Sequence, residues 1–152
     1  MANLAQAVNV LQALILTKGD QMIRTPTYYV FDLYKVHQNA KYLPIKIQTP
    51  AYGYNGEKIP AVNASASRDS SGVTHITLVN LDPKNSISVF STLPNPASLV
   101  TGQILTSPKF TDINTFEQPD KVQLQPFNNA KIINNQIETT LPPLSVVTLT
   151  LK

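Results

Sequence analysis

Apolar and polar positions alternate with period two over much of this chain, most regularly near its end. There Val147, Leu149 and Leu151 interleave with Thr148 and Thr150. Such alternation predicts a strand with one face buried. The same pattern marks residues 136–141, with Ile137, Thr139 and Leu141 on one face, and residues 121–125. Residues 99–105 form another predicted strand, in which Gly102 marks a bulge or a close approach of backbone. The centre of the chain holds three β-rich runs, residues 61–67, 73–81 and 86–90, separated by polar turns at 68–72 and 82–85. Asp and Asn bond their own backbone in such turns, Pro presets φ, and Gly accepts positive φ. The three runs predict an antiparallel meander, which cannot bury its apolar face without a second sheet against it. Residues 43–47 read as a strand with Pro44 near its start, suiting an edge. Residues 51–56 read as a loop carrying Tyr52 and Tyr54, residues 106–119 as a long loop, and Asn128-Asn129 and Asn134-Asn135 as turns. Strands at this spacing indicate an antiparallel β-sandwich of jelly-roll type.

Residues 1–40 have a different character. Asn3 is placed to cap a helix with Leu4, Ala7, Val8 and Leu11 on one face. The run 8–16 is apolar on nearly every side, which suits a segment buried all round, and its period leaves helix and strand both open. A turn at Lys18-Gly19-Asp20 precedes a short β candidate, residues 21–24. Thr25-Pro26 then starts a helix, with Thr as N-cap and Pro at the first helical position. It runs to about His37 and places Tyr29, Leu33 and Val36 along one side, with Asp32 and Lys35 paired on the surface. Such elements close an α/β fold; they do not resemble the start of an independent domain.

A length of 152 residues corresponds to about one domain. Charged residues make up only 14%, and Asn, Thr, Ser and Gln take their place, as on a polar, uncharged β surface. The net charge of +3 is spread without a cluster, which argues against a nucleic-acid partner. There is no cysteine, so disulfides, thiolate catalysis and Cys-ligated zinc are excluded. His37 and His75 are not spaced as a ligand pair, so neither a metal nor another cofactor is expected. Lys18, Gly19 and Asp20 end the longest apolar run short of membrane-spanning length, and no basic stretch precedes that run as a secretory leader requires.

Glycoside hydrolysis needs two carboxylates flanking the sugar. Glu117 and Asp120 are the one close acidic pair outside predicted turns, and a loop held by its own polar groups explains them as well. Ser145 and His75 lie on predicted strands without a nucleophile elbow, and His75 reads as a half-exposed strand residue. All six tyrosines lie between residues 28 and 54; they suit packing with a wet tip, or stacking on sugar faces. No catalytic residue emerges from the chain itself.

Several stretches together resemble a known family. The run from Ala2 through Asn3-Leu4-Ala5-Gln6 to Gln12 is similar to a segment late in the catalytic barrel of the α-L-arabinofuranosidases of glycoside hydrolase family 51. Thr25-Pro26-Thr27-Tyr28-Tyr29-Val30-Phe31, then Tyr34 to Gln38, resembles the helix that closes that barrel. Ala64 to Asp69, Val79-Asn80-Leu81-Asp82-Pro83, Asn114-Thr115-Phe116-Glu117 and Leu141 to Val147 resemble stretches of its sandwich domain. The departures are Tyr29, where many relatives have His, and Arg24, where many have an aliphatic residue.

This resemblance implies retaining exo-enzymes that remove α-L-arabinofuranosyl groups from arabinan or arabinoxylan with two glutamates on a (β/α)8 barrel. Both glutamates are expected upstream of Met1, so none is carried over to this chain. Residues 1–40 would be the end of the barrel, and residues 41–152 a non-catalytic C-terminal sandwich. Gln6 matches a sugar-contacting Gln at the C-terminal end of a barrel strand, which conflicts with the capped helix read at Asn3; a polar surface position is the other reading of Gln6. Two further readings are a carbohydrate-binding module using Tyr52 and Tyr54, and an assembly domain that self-associates through apolar surface around residues 8–16.

Overall fold

The computed structural model describes residues 6–93 and 96–152. A hairpin of β1 (Ile15–Lys18) and β2 (Gln21–Arg24) comes first, followed by helix α1 (Pro26–Tyr34) and a 3-10 turn over Lys35–His37. Then come β3 (Lys41–Tyr42), β4 (Ala51–Tyr54), β5 (Glu57–Pro60), β6 (Val62–Arg68), β7 (Thr74–Asn80), β8 (Ile87–Thr92) and β9 (Leu99–Thr106). The last four strands are β10 (Gln125–Pro126), β11 (Ala130–Ile133), β12 (Gln136–Leu141) and β13 (Ser145–Leu151). A six-stranded sheet of order β10-β9-β13-β7-β6-β3 faces a three-stranded sheet of order β11-β12-β8, and β4 and β5 form a separate hairpin. Every ladder between named strands is antiparallel. The expected sandwich is therefore present.

The core follows from the alternation. Val147, Leu149 and Leu151 are almost fully enclosed, and Leu78 and Ile76 of β7 and Ala66 of β6 lie beside them on the same face. Ile87, Ile137 and Leu141 of the smaller sheet close over them. Gly102 allows a close approach: a Cβ there would stand 2.4 Å from the Phe127 carbonyl oxygen. Thr25 caps α1 as expected, accepting from the Tyr28 amide, and the helix ends in the 3-10 turn at His37. Its Tyr29 and Leu33 pack with Leu105 and Val122 in a second core on the outer face of the large sheet. Arg24 stacks over the Tyr28 ring at 5.1 Å, and Tyr29 is buried, so both departures from the family pattern are accommodated.

The meander is corrected. β6 and β7 form the expected hairpin, but β8 leaves them and pairs with β12 in the opposite sheet. Asp82 organises the turn between them by accepting from the Lys84 and Asn85 amides, while its carbonyl accepts from the Leu144 amide. The turn is thereby tied toward residues 142–145, and the chain crosses between layers. Four other readings change. Residues 43–47 form no strand. Residues 51–56 belong to a hairpin whose turn, Asn55-Gly56, has both φ values positive, at 50° and 85°. Residues 121–124 alternate because Val122 and Leu124 pack under α1, and only Gln125–Pro126 joins a ladder. Finally, residues 7–11 form no helix, and the proposed cap Asn3 with Leu4 lies outside the described residues.

Candidate functional site

Two places carry the polar chemistry of this chain: the seam where the 3-10 turn meets the outer face of the large sheet, and the loop that follows Gln6. At the seam, five of the residues of β6, β7 and β13 that point away from the sandwich core are small and hydroxylated: Ser65, Ser67, Thr77, Thr148 and Thr150. Registered pairing sets Ser65 beside Thr77, Thr77 beside Thr148, Ser67 beside His75, and His75 beside Thr150. The turn after α1 delivers His37 onto this row. Its Nδ1 is 2.7 Å from Ser67 Oγ and its Nε2 2.8 Å from Thr77 Oγ1, and Thr77 continues to Thr148 at 2.9 Å. A neutral imidazole has one donor and one acceptor, and hydroxyls supply either, so the row closes without an orphan. Burial first, and then the neighbouring His75, hold the His37 pKa below its usual value.

His75 is buried, where the sequence suggested half exposure, because the Asp69 carboxylate and Thr150 bracket its ring, each at 3.2 Å. The hydrogen bond from His75, aided by the Val73 and Ser71 amides, lowers the Asp69 pKa. Tyr34 has its phenol pKa raised, chiefly by burial, with Ser65 acting in the opposite direction. All these groups satisfy one another. The seam holds a helix on a sheet; no nucleophile or paired acid faces open space in it. Sequence reading missed the seam, although Ser65, Ser67, Thr77, Thr148 and Thr150 at alternate positions of three strands were a usable signal.

The other candidates remain apart. Ser145 Oγ donates to the Pro142 carbonyl, far from any role with His75. Glu117, in a loop pinned by Asn114, has its pKa lowered by local hydrogen bonds, the backbone contribution ahead of Thr115. Among the described residues no group of three or more His, Asp or Glu comes together to hold a metal ion. Tyr52 is half-buried against the core and Tyr54 is exposed, so the two rings are not presented as one stacking platform.

Gln6 is exposed and irregular. Just after it, the Ala7 carbonyl accepts from the Ile15 amide, Asn9 joins Thr17 through two bonds of 2.8 Å, and Asn9 and Gln12 take positive φ of 54° and 58°. The loop between is thus closed at its base and presents Leu11 at its tip, 93% exposed. Val8 is exposed as well, and Ala13 is the buried residue of the run. The all-round burial expected of residues 8–16 is not met within this chain. No helix among the described residues is long and apolar enough to cross a membrane.

Comparison with known proteins bears on the chain as a whole. The chain is 45% identical over 154 aligned positions to an intracellular exo-α-L-arabinofuranosidase of Bacteroides ovatus, covering all of this chain and 30% of that protein. Its structure superposes on the family 51 arabinofuranosidase of Xanthomonas axonopodis pv. citri with a TM-score of 0.95 and 44% identity, over all of this chain and 31% of that one. The α-L-arabinofuranosidase of Thermotoga maritima, solved with arabinose, follows at a TM-score of 0.84 and 26% identity, over 99% of this chain and 33% of that one. The chain therefore spans about a third of the length of such relatives. The family model for the α-L-arabinofuranosidase C-terminal domain matches residues 1–145, up to the start of the last strand β13, and the chain belongs to that family.

Proposed function

We propose that this chain is the C-terminal, non-catalytic part of a retaining α-L-arabinofuranosidase that removes terminal arabinofuranosyl groups from arabinan- or arabinoxylan-type polysaccharides. The observation that carries this reading is the 45% identity across the whole chain to an exo-acting arabinofuranosidase. In this reading residues 41–152 are the sandwich domain and residues 1–40 the end of the catalytic barrel. The His37 seam then has a clear purpose: it fixes the last barrel elements to the sandwich at a set angle. Gln6 is the one position expected to reach substrate, by a hydrogen bond to a sugar hydroxyl, and the tethered loop after it steadies its approach.

The test is arabinose release from an aryl α-L-arabinofuranoside by two purified polypeptides, this chain and the longer one that carries it with its catalytic portion. Release by the longer polypeptide and none by this chain is expected; turnover by this chain alone overturns the reading. In the longer polypeptide, Gln6→Ala should raise KM or lower kcat, and an unchanged kcat/KM removes Gln6 from the site. The exposed Val8 and Leu11 support self-association of the chain when isolated. Light scattering that finds only monomer over a wide concentration range would end that part of the proposal.

A further inference from the structure

The hairpin of β4 and β5 stands outside both layers of the sandwich. Every residue from Ala51 to Pro60 is exposed except Tyr52, which is half-buried. The hairpin is tied to the fold at its base, where the Ala61 amide donates to the Pro50 carbonyl at 2.8 Å and the Val62 amide to Thr49 Oγ1 at 3.1 Å. Beyond that base it is a two-stranded ribbon that closes on Tyr54 opposite Glu57. Such a ribbon is marginally stable by itself, so its tip opens at little cost.

At the tip stands Asn55-Gly56, the only place in the sequence where asparagine precedes glycine. That dipeptide has a chemistry of its own. The glycine nitrogen, on losing its proton to hydroxide, attacks the side-chain carbonyl carbon of the asparagine. A five-membered succinimide forms and ammonia leaves. Water then opens the ring at either carbonyl, giving aspartate or the β-linked isoaspartate. A side chain on the second residue hinders the approach; Gly56 has none, and the space where a Cβ would stand is open, with nothing within 4 Å.

The chain contains its own comparison. Asn134-Asn135 joins β11 to β12 with the same left-handed pair, φ 48° and 63° against 50° and 85° at Asn55-Gly56. Both fit a type I′ turn, which must open before the nitrogen can reach the side chain. At 134–135 the second residue carries a side chain, and it is fastened. Asn135 Nδ2 donates to the Leu93 carbonyl at 2.6 Å, and the Asn135 carbonyl accepts from the Leu93 amide at 3.0 Å. Strand β12 is also paired on both sides, with β11 and β8. The free-standing turn and the unhindered nitrogen coincide at residues 55 and 56.

We propose that Asn55 is a site of spontaneous covalent modification, converted through a succinimide to a mixture rich in isoaspartate, and that the conversion unzips the β4–β5 hairpin. The β-linked product adds a methylene to the main chain of a two-residue turn, so Tyr54 and Glu57 no longer meet in register. Either product also sets a new carboxylate beside Glu57. The disturbance ends at the Pro50–Ala61 bond, where the sandwich takes hold of the chain.

The test is incubation of the longer polypeptide at mildly alkaline pH, followed by tryptic digestion in mild acid and mass spectrometry. Cleavage after Lys46 and Lys58 releases residues 47–58, in which Asn55 is the one asparagine; cleavage after Lys131 releases the turn at 134–135. Residues 47–58 should gain the small mass of OH over NH2, at a rate proportional to hydroxide, and become a methyl acceptor for an isoaspartyl methyltransferase. Conversion should be at least tenfold slower at Asn134. The same slowing is expected in Gly56→Asn, which copies the turn at 134–135 with a residue that tolerates positive φ. In the converted fraction the amides of β4 and β5 should exchange faster, while those of β7 and β13 keep their protection. An Asn55 that stays intact while the guanidinium-unfolded polypeptide converts overturns the proposal, as does conversion no faster than at Asn134. Converted protein whose β4 and β5 amides exchange as slowly as before overturns the unzipping.

Discussion

Asn80 is where the two layers of the sandwich are joined, and replacing it should test the account of the fold most directly. Its side chain is 2% exposed at the end of β7. Nδ2 donates to the carbonyls of Asn85 and Pro142, each at 2.9 Å, and more weakly to Leu141 at 3.3 Å, while Oδ1 accepts from the Asp82 amide at 3.0 Å. One amide thus ties the β7–β8 crossover to the β12–β13 connection. Asn80→Ala removes about three effective hydrogen bonds at ~1 kcal/mol each and orphans at least one buried carbonyl, for a loss of ~3–4 kcal/mol. Asn80→Asp keeps the acceptor for Asp82 but turns a second oxygen toward three carbonyls at a buried position. It should cost more than the alanine by at least ~1 kcal/mol.

Urea unfolding followed by far-UV circular dichroism reads this difference. With a slope of about 2 kcal/mol/M for a domain of this size, the midpoint for Asn80→Ala should fall by roughly 1.5–2 M. Ser88→Ala, which removes an exposed 3.3 Å contact to Thr140, is the control and should move it by less than ~0.3 M. A loss below ~1 kcal/mol for the alanine, or an aspartate variant as stable as the parent, would refute the view that this side chain holds the crossover.

Three further outcomes follow from other sites. Gly102→Ala drives a methyl against the Phe127 carbonyl, whose own amide is bound to the Gly102 carbonyl at 2.8 Å, so the backbones cannot separate freely; a loss of ~2 kcal/mol or more is expected in the same assay. Thr25→Ala loses both the helix cap and the 2.7 Å bond from Thr25 Oγ1 to the Ala13 carbonyl, about 1–2 kcal/mol, and should speed exchange of the first-turn amides of α1. His37 has a folded pKa below its usual 6.5, so the unfolded chain binds more protons between the two values. Its contribution is full above pH 6.5 and is lost as pH falls through the folded value. The urea midpoint should therefore be lower at pH 5.5 than at 7.5, and His37→Gln should shrink that gap.

What was legible in the sequence is what alternation and turn chemistry encode locally. Val147, Leu149 and Leu151 could be placed in the core because a strand buried on one face must alternate. Thr25-Pro26 gave the helix start because its orphan amides need that cap. The layer that a strand joins is not local. Residues 86–90 looked like the third strand of a meander because a four-residue turn usually folds a chain back beside itself. Asn80 and Asp82 overrule that expectation with bonds to residues 141, 142 and 144, which are some 60 positions away. Residues 121–124 show the opposite error, an alternating pattern produced by packing under α1 without any ladder. The Asn55-Gly56 hairpin, by contrast, was readable and overlooked, since that dipeptide is the strongest short signal for such a turn.

The same distinction explains why the candidate site was only partly visible. Gln6 could be singled out through a resemblance, because the residues around it form a recognisable run. His37 could not, since its partners Ser67 and Thr77 are 30 and 40 positions away and gain meaning only when β6 and β7 are in register. The seam itself obeys a simple rule of polar satisfaction: His37 bonds Ser67 and Thr77, and Thr77 bonds Thr148, so the turn after α1 lies on the outer face of the large sheet with its buried polar atoms paired.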